Sequence, residues 1–232
     1  MKSIILILLS AASVSLYAQD KKDNFVPMMT RGIGVSFQKF NGLNSRIAAF
    51  PQYETLKDHM WTLSLGSMHV RKNFISQLTI TGGSSLSGDR DKKSSALRFL
   101  SGGIDLGYDV IPSDKIMLYP LAGIGAETYQ AIFYKDNSAV DFNDVLLSPI
   151  VQNSIRSVKF TNSFITYHFG LGFALKSPKH AATVGIQAGY TGSFKDRSWK
   201  SSENQTLNGA PSDDLSRFNV SLVFTGGVMI MK

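Results

Sequence analysis

The segment from Ser163 to Leu175, SFITYHFGLGFAL, carries the pattern on which the fold depends. Large apolar side chains stand at every second position from Ile165 to Leu175. Thr166, His168, glycine and alanine occupy the positions between them. Alternation with a period of two residues predicts a β-strand with one bulky apolar face and one small or polar face.

Seven other segments repeat this pattern, so that eight strands are predicted in all. Their predicted ranges are 31–40, 60–70, 74–82, 97–110, 116–129, 161–175, 181–193 and 215–231. The segment 116–129 is apolar on both faces near its start. Pro120 lies there and has no N–H to donate to a sheet, so it predicts a bulge or a strand entry.

The polar faces contain mainly Gly, Ser, Thr, Ala and Gln, with few charged residues. A soluble β-sandwich instead turns its bulky face inward and carries Lys, Glu and Arg on its outward face. Small residues suit the narrow interior of a closed barrel whose bulky face meets lipid. The predicted fold is therefore an all-β, eight-stranded antiparallel up-and-down transmembrane barrel.

The connections between the predicted strands alternate in length. Long connections are predicted at 41–59, 83–95, 130–160 and 194–214, and short turns at 71–73, 111–115 and 176–180. Long outer loops and short periplasmic turns are typical of outer-membrane barrels. An even number of strands also leaves both chain ends on the periplasmic side.

The first residues indicate export. Lys2 is followed by an apolar stretch from Ile4 to Leu16 and by the small residue Ala18. This is the layout of a cleaved secretory signal, and the apolar stretch is shorter than the roughly 20 residues of a spanning helix. We predict a signal peptide at 1–18, a periplasmic tail at 19–30 and a single barrel domain at 31–232 in the outer membrane of a Gram-negative bacterium.

The composition narrows the set of partners. The chain has a formal net charge of +7 and no cysteine, which excludes disulfides and thiolate metal sites. No run of Lys and Arg exceeds two residues, so no nucleic-acid partner is predicted. For an exported chain, the partners expected to balance this positive charge are outer-membrane lipids and the phosphates of lipopolysaccharide. The barrel is predicted to be a monomer.

Three stretches resemble a known family: GIGVSF at 32–37, LYPLAGIGAE at 118–127 and YHFGLGFAL at 167–175. They look like the outer-membrane β-barrel domain family of small OmpA/OmpX-like, porin-like proteins, and the resemblance spans essentially the whole mature chain. It implies the barrel architecture but no single activity. That family includes adhesins, anchors and lipid-modifying enzymes.

Candidate chemical sites are few. The Gly-x-Gly pairs at 32/34, 123/125 and 170/172 lie inside strands, so they predict room in a narrow barrel rather than a phosphate loop. Asp89-Arg90-Asp91 is followed by two lysines, and this favours a solvated loop over a calcium site. We predict no metal site, no cofactor and no catalytic residue.

His168 is a lone histidine on the predicted lumen face. Its possible companions there are Asp105, Asp109, Glu127 and Arg217, and a satisfied internal network is the favoured interpretation. The alternative is a lipid A or phospholipid-modifying enzyme that uses His168 or His69 with nearby serines. The resemblance counts against it, because barrel lipid deacylases place His and Ser two apart, whereas Gly170 follows His168 and Arg71 follows His69 at that spacing.

The loop 130–160 is too apolar for a disordered tether, and 41–59 has a similar character. Each is predicted to be either a plug or lid over the barrel mouth, or a contact surface for a partner. The expected function is that of a non-enzymatic outer-membrane barrel, structural or partner-binding through its surface loops.

Overall fold

The computed structural model describes residues 28–88, 92–111, 113–177 and 182–227, which form a closed antiparallel barrel. Its wall consists of β1 (Met28–Gln38), β2 (His59–Arg71), β3 (Phe74–Ser87), β4 (Ser94–Tyr108), β5 (Ile116–Tyr134), β6 (Val158–Lys176), β7 (Ala182–Ser193) and β8 (Ser216–Gly227). Each strand pairs with the next along the chain, and β8 pairs with β1. The predicted eight-stranded up-and-down topology is confirmed.

Four connections lie at the outer end of the barrel: loop 1 (39–58), loop 2 (88–93, of which 88, 92 and 93 are described), loop 3 (135–157) and loop 4 (194–215). Loop 1 contains helix α1 (Asn41–Ala48), and loop 3 contains α2 (Phe142–Leu147) and α3 (Pro149–Ser154). Loop 4 contains three two-residue strands at Arg197–Ser198, Lys200–Ser201 and Ser212–Asp213. No helix in the described parts of the chain is long and apolar enough to cross a membrane.

The bulky faces of the strands point outward, as predicted. Large side chains such as Ile33, Leu63 and Ile124 are at least half exposed around the wall. Phe37, Phe218 and Tyr190 follow one another across the paired strands β1, β8 and β7 near the outer end. An outward apolar band with aromatic residues at its margin is the arrangement that contacts lipid in a membrane barrel.

The strands are staggered around the wall. A line of paired residues that starts at Gln38 and passes once around the barrel returns to β1 at Met28, ten positions lower. Such a stagger accompanies strands that are tilted against the barrel axis. Between its two ends the line passes through Arg217, Thr191, His168, Gly123, Asp105, Gln77 and Met68.

Several predicted boundaries are wrong. The strands reach further out, so the predicted connections 83–95 and 130–160 shrink to 88–93 and 135–157. Serines at the outer ends of β3 and β4 hide the alternation there. Met28 pairs with Met68 and Gly227, and therefore residues 28–30 of the predicted tail belong to the wall.

Pro120 makes no bulge. Its pair with Leu171 continues an unbroken register between β5 and β6, and the pairing of β5 with β4 extends to its neighbour Leu121. The signal peptide 1–18, the tail up to residue 27, the Asp89-Arg90-Asp91 motif and residues 228–232 lie outside the described residues.

The lumen contains more than the small residues that were expected. An apolar cluster fills its outer end, a second fills its turn end, and a polar zone lies between them. The outer cluster comprises Phe40, Leu43, Ile47, Leu56, Met60, Leu97, Phe99, Tyr129, Ala131, Phe133, Phe164, Trp199 and Leu215. The turn-end cluster comprises Met68, Ile75, Met117, Tyr119, Leu121 and Ala174. Together they occupy both ends of the barrel interior with buried side chains.

Candidate functional site

His168 lies at the centre of the polar zone between two partners. Its Nδ1 is 3.1 Å from Asp105 Oδ1, and its Nε2 is 3.1 Å from Thr166 Oγ1. Gly123 of β5 stands between His168 and Asp105 in the pairing. A Cβ at that position would collide with Asp105 Oδ1. The glycine is therefore what allows the histidine and the carboxylate to meet across the intervening strand.

Glu127 and Arg217 form a second polar group, nearer the outer end. The guanidinium of Arg217 donates to Glu127 Oε1 at 2.6 Å, and the hydroxyl of Tyr129 donates to Glu127 Oε2 at 2.8 Å. Arg217 also stacks over the ring of Phe99, 4.5 Å from its centroid. This pairing and the hydrogen bond from Tyr129 compensate for part of the cost of burying both charges.

Of the four predicted companions of His168, only Asp105 contacts it. Asp109 lies at the turn end, where Lys176 Nζ donates to its Oδ2 at 2.9 Å. Sequence reasoning missed Lys176 and Thr166. Thr166 could have been found from its period-two spacing to His168. Lys176 could not, because nothing in the sequence indicates that this last residue of β6 reaches the turn before β5.

The Asp105–His168–Thr166 chain has the order of groups that activates a hydroxyl nucleophile. Thr166, however, is fully buried. The polar zone encloses a cavity of about 100 Å³, whereas small-ligand sites have about 300–1,000 Å³. An acyl chain has no room to reach this hydroxyl in the structure. The chain of contacts fits an internal network that satisfies buried polar groups.

His69, the other candidate histidine, is separate from this network. It lies on the outward face of β2 near the turn end and is paired with Ser76 of β3. Among the described residues, no group of three His, Asp or Glu side chains is arranged to hold a metal ion.

Loops 1 and 4 together close the outer end of the lumen. Leu43 and Ile47 of α1 point into the outer cluster, and Trp199 of loop 4 packs edge-on against Phe40 with ring centroids 5.2 Å apart. Asp213 of loop 4 joins the two loops. Its carboxylate accepts hydrogen bonds from Gly42 N at 2.6 Å, Leu43 N at 3.0 Å and Trp199 Nε1 at 2.8 Å.

The contact of Asp213 with α1 has a clear physical basis. The first turn of a helix leaves backbone N–H groups without partners and carries partial positive charge. No side chain of loop 1 caps α1, so the buried carboxylate of Asp213 supplies the missing acceptor from 170 residues away in the chain. Asn44 fixes the fold of loop 1, which we call the lid. Its side chain accepts a hydrogen bond from the N–H of Leu56 and donates one to the carbonyl of Leu56.

Loop 3 behaves differently. Neither α2 nor α3 has a buried residue. The side chains of Phe142, Leu147 and Ile150 are 73%, 82% and 81% exposed. The loop is nevertheless ordered by its own hydrogen bonds: the side chain of Gln152 donates to Val145 O at 2.8 Å, and Asp141 caps α2. Of the two alternatives left open by the sequence, the structure makes loop 1 a lid and leaves loop 3 as an exposed surface.

The exposed tip of loop 3 is acidic. Residues 136–155 contain Asp136, Asp141 and Asp144 and no Lys or Arg. Hydrogen bonds from the side chain and the backbone N–H of Ser138 lower the pKa of Asp136 below its ordinary value. The tip thus has a negative formal charge in a chain that is basic as a whole.

A closed wall of eight antiparallel strands with an apolar outward face defines the chain as a small transmembrane barrel protein. Its sequence matches the outer membrane protein beta-barrel domain over residues 4–225. The chain belongs to this family, and membership assigns it to the outer membrane. The resemblance predicted from three short stretches is confirmed.

Solved structures of other outer-membrane proteins are similar to this chain. Ail, the attachment invasion locus protein of Yersinia pestis, in complex with the heparin analogue sucrose octasulfate, has a TM-score of 0.50 at 13% identity; the match covers 88% of this chain and 99% of Ail and supports the fold. A major outer membrane protein from Thermus thermophilus has a TM-score of 0.49 at 8% identity, covering 86% and 98%. No curated protein matches the sequence significantly.

Proposed function

We propose that this protein is a non-enzymatic outer-membrane barrel that binds a protein partner through loop 3. The exposed apolar tip carries the proposal. Monomeric proteins rarely leave contiguous large apolar side chains in water, and where they do, the patch is usually an interaction site. The tip of loop 3 places Phe142, Leu146, Leu147 and Ile150 on two short helices that bury none of them.

The remainder of the molecule supports a binding rather than a transport or catalytic role. The lumen is filled at both ends by buried side chains, and the central hydroxyl–histidine–carboxylate chain has a cavity of only about 100 Å³ beside it. The fold neighbour Ail forms a complex with a heparin analogue, so a ligand-binding role has a precedent on a barrel of similar architecture.

Photo-crosslinking in intact cells tests the proposal. A photoreactive phenylalanine analogue at Leu147 should give one or a few discrete protein adducts. The same analogue at Leu63, an exposed residue of the lipid-facing wall, serves as the matched control and should give no protein adduct. If position 147 captures no protein under conditions in which the barrel is present in the membrane, the proposed function is wrong.

The enzyme alternative has its own test. Replacement of His168 or His69 with Ala should leave the acyl pattern of lipid A and of the phospholipids unchanged. A loss of a deacylated or acylated species in either variant would establish a lipid-modifying activity instead.

We further propose that residues 1–18 are removed on export, that 19–27 form a periplasmic tail, and that the wall is surrounded by phospholipid and lipopolysaccharide. The apolar outward band supports the last point. Mass spectrometry of the mature protein tests the first: the expected N-terminus is Gln19, and an N-terminal Met1 would contradict it.

A further inference from the structure

A groove at the outer end of the barrel is a second apolar surface, separate from the tip of loop 3. It has a volume of about 340 Å³ and lies between loop 1, loop 4 and the outer ends of β5 and β6. Its apolar lining combines the exposed Phe50 and Leu207 with the half-buried Phe160 and with Ile47 and Phe133, which are buried members of the outer cluster. This volume is at the lower end of the range for ligand sites, about 300–1,000 Å³. The groove therefore accommodates a few apolar side chains.

The groove has one charged residue in its lining, Arg46. This arginine lies in the last turn of α1, and one of its nitrogens donates to the carbonyl of Gly209 at 3.3 Å. A guanidinium presents five N–H donors in a planar fork. One hydrogen bond to Gly209 therefore leaves most of these donors for an occupant of the groove. The surface selects an occupant that combines apolar side chains with a carboxylate.

The same chain carries an occupant of this description. The tip of loop 3 exposes Phe142 and Leu146 beside Asp144 on α2. The groove and the tip are thus complementary both in polarity and in charge, and both lie at the outer end of the barrel, clear of the lipid-facing wall. Opposite charges across an interface favour the correct partner and penalise like-charged ones.

We propose that the partner of loop 3 is a second copy of this chain, with the acidic apolar tip of one molecule seated in the Arg46 groove of another. The inference rests on the proposed function and adds the identity of the partner. The barrel wall stays monomeric in the membrane, and only the outer loops of two molecules meet. Aromatic and arginine anchors in an apolar pocket are the features that dominate such contacts.

Disulfide trapping tests the pairing, because the chain has no native cysteine. A tagged Phe50→Cys protein is mixed with an untagged Leu146→Cys protein in detergent micelles and oxidised. The expected result is a mixed disulfide dimer whose yield rises with protein concentration. Leu146→Cys mixed with Phe194→Cys is the matched control, since Phe194 is exposed on loop 4 but does not line the groove.

Charge reversal shows whether the trapped contact is the proposed one. Arg46→Glu in the Phe50→Cys protein should lower the yield of the mixed dimer at least fivefold. Adding Asp144→Lys to the Leu146→Cys protein should restore it. Restoration also shows that Arg46→Glu leaves the groove folded. A yield that does not respond to the two charges would overturn the inference.

Two other outcomes would also overturn it. A double Phe50→Cys, Leu146→Cys protein that closes an internal disulfide, with no concentration-dependent dimer, would show that loop 3 occupies the groove of its own molecule. Adducts at position 147 that contain only an unrelated protein, with no mixed dimer, would leave the proposed partner-binding function standing and reject the second copy as the partner. No adduct of any kind would reject the proposed function itself.

Discussion

Loop 1 and loop 3 both have an apolar character in the sequence but reach opposite structures. Both are long outer connections that combine apolar residues with short helices. Loop 1 buries Leu43, Ile47 and Leu56, and Leu43 is 2% exposed. Loop 3 exposes them, and Leu147 is 82% exposed. Since burial of apolar area provides the main stabilisation of a folded segment, loop 1 is held by the barrel, whereas loop 3 has apolar surface left for another molecule.

The difference comes from what surrounds each loop. Loop 1 lies against Asp213 and Trp199 of loop 4, which cap and cover α1. Strand β4 adds a support, because the hydroxyl of Ser95 at its outer end donates to Thr55 O at 2.7 Å. For loop 3 the contacts that order α2 and α3 come mainly from within the loop. Similar composition therefore leads to a lid in one place and a presented surface in the other.

The largest expected effect is on the free energy of local opening, when a leucine in each loop is shortened to alanine. Leu43→Ala should lower the free energy of local opening of loop 1 by about 2–5 kcal/mol, as for other buried leucines. Leu147→Ala should change local stability by less than about 0.5 kcal/mol, because it removes no buried contact. Hydrogen exchange of the Asn44 amide, which donates to Phe40 O at 2.9 Å, measures the first effect. Equal effects of the two substitutions would contradict the comparison.

Removal of the carboxylate that joins loops 1 and 4 should have the next largest effect. Asp213→Ala leaves two helix amides and the indole of Trp199 without their acceptor. Hydrogen bonds to a charged group contribute about 1.5–3 kcal/mol each and do not add fully, so we expect a loss of about 3 kcal/mol. Tryptic cleavage after Arg46 in the folded barrel should then accelerate on the order of 100-fold.

Asp214→Ala is the control for that experiment, because Asp214 is the exposed neighbour of Asp213. It should leave the cleavage rate after Arg46 within about twofold of the original, which corresponds to less than about 0.5 kcal/mol. Similar acceleration in both variants would mean that Asp213 does not hold the lid.

The wall of this barrel could be predicted from the sequence, because period-two alternation reports directly which face of a strand meets lipid. Val158–Lys176 and Ser216–Gly227 follow the pattern closely. The outer strand ends could not be predicted as well. There Ser85, Ser87 and Ser94 are buried under the outer loops and lumen side chains, and a serine at such a position shows no apolar alternation in the sequence.

The contents of the lumen were harder to predict for a different reason. His168 and Asp105 are 63 residues apart and meet through the stagger of the wall and the absence of side chains at Gly103, Gly123 and Gly125. Pairing registers follow from all eight strands together, and no local pattern encodes them. The cap of α1 could not be predicted for the same reason. Its carboxylate, on Asp213, is distant in the sequence, and loop 1 itself contains no capping side chain.

Ion conduction shows whether loop 1 or the turn-end cluster blocks the lumen. Leu43→Asp should open loop 1 because it places a charge in the outer apolar cluster. Planar bilayers that contain this variant should still show no conductance step, because Met68, Met117 and Tyr119 fill the turn end of the lumen. Steady current through the variant, with none through the unaltered protein, would show that loop 1 is the only barrier.

The smallest expected effect concerns the tip of loop 3. Ser138→Ala removes one of the two hydrogen bonds that Ser138 donates to Asp136, so the pKa of Asp136 should rise toward its ordinary value. A lowered pKa stabilises the turn at pH values above the ordinary carboxylate range, and this contribution disappears as the pH falls through the lowered pKa. A carbon-13 titration of the carboxylate should show the rise, and an unchanged pKa would assign the shift to another cause.

Cysteine labelling on intact cells tests the contrast between the two loops most directly. The native chain has no cysteine, so Leu43→Cys and Leu147→Cys each introduce a single thiol at matched leucine positions. A membrane-impermeant maleimide should label Leu147→Cys rapidly and Leu43→Cys only after denaturation. Equal labelling of the two thiols on intact cells, or faster labelling at position 43, would contradict the assignment of loop 1 as the lid and loop 3 as the presented surface.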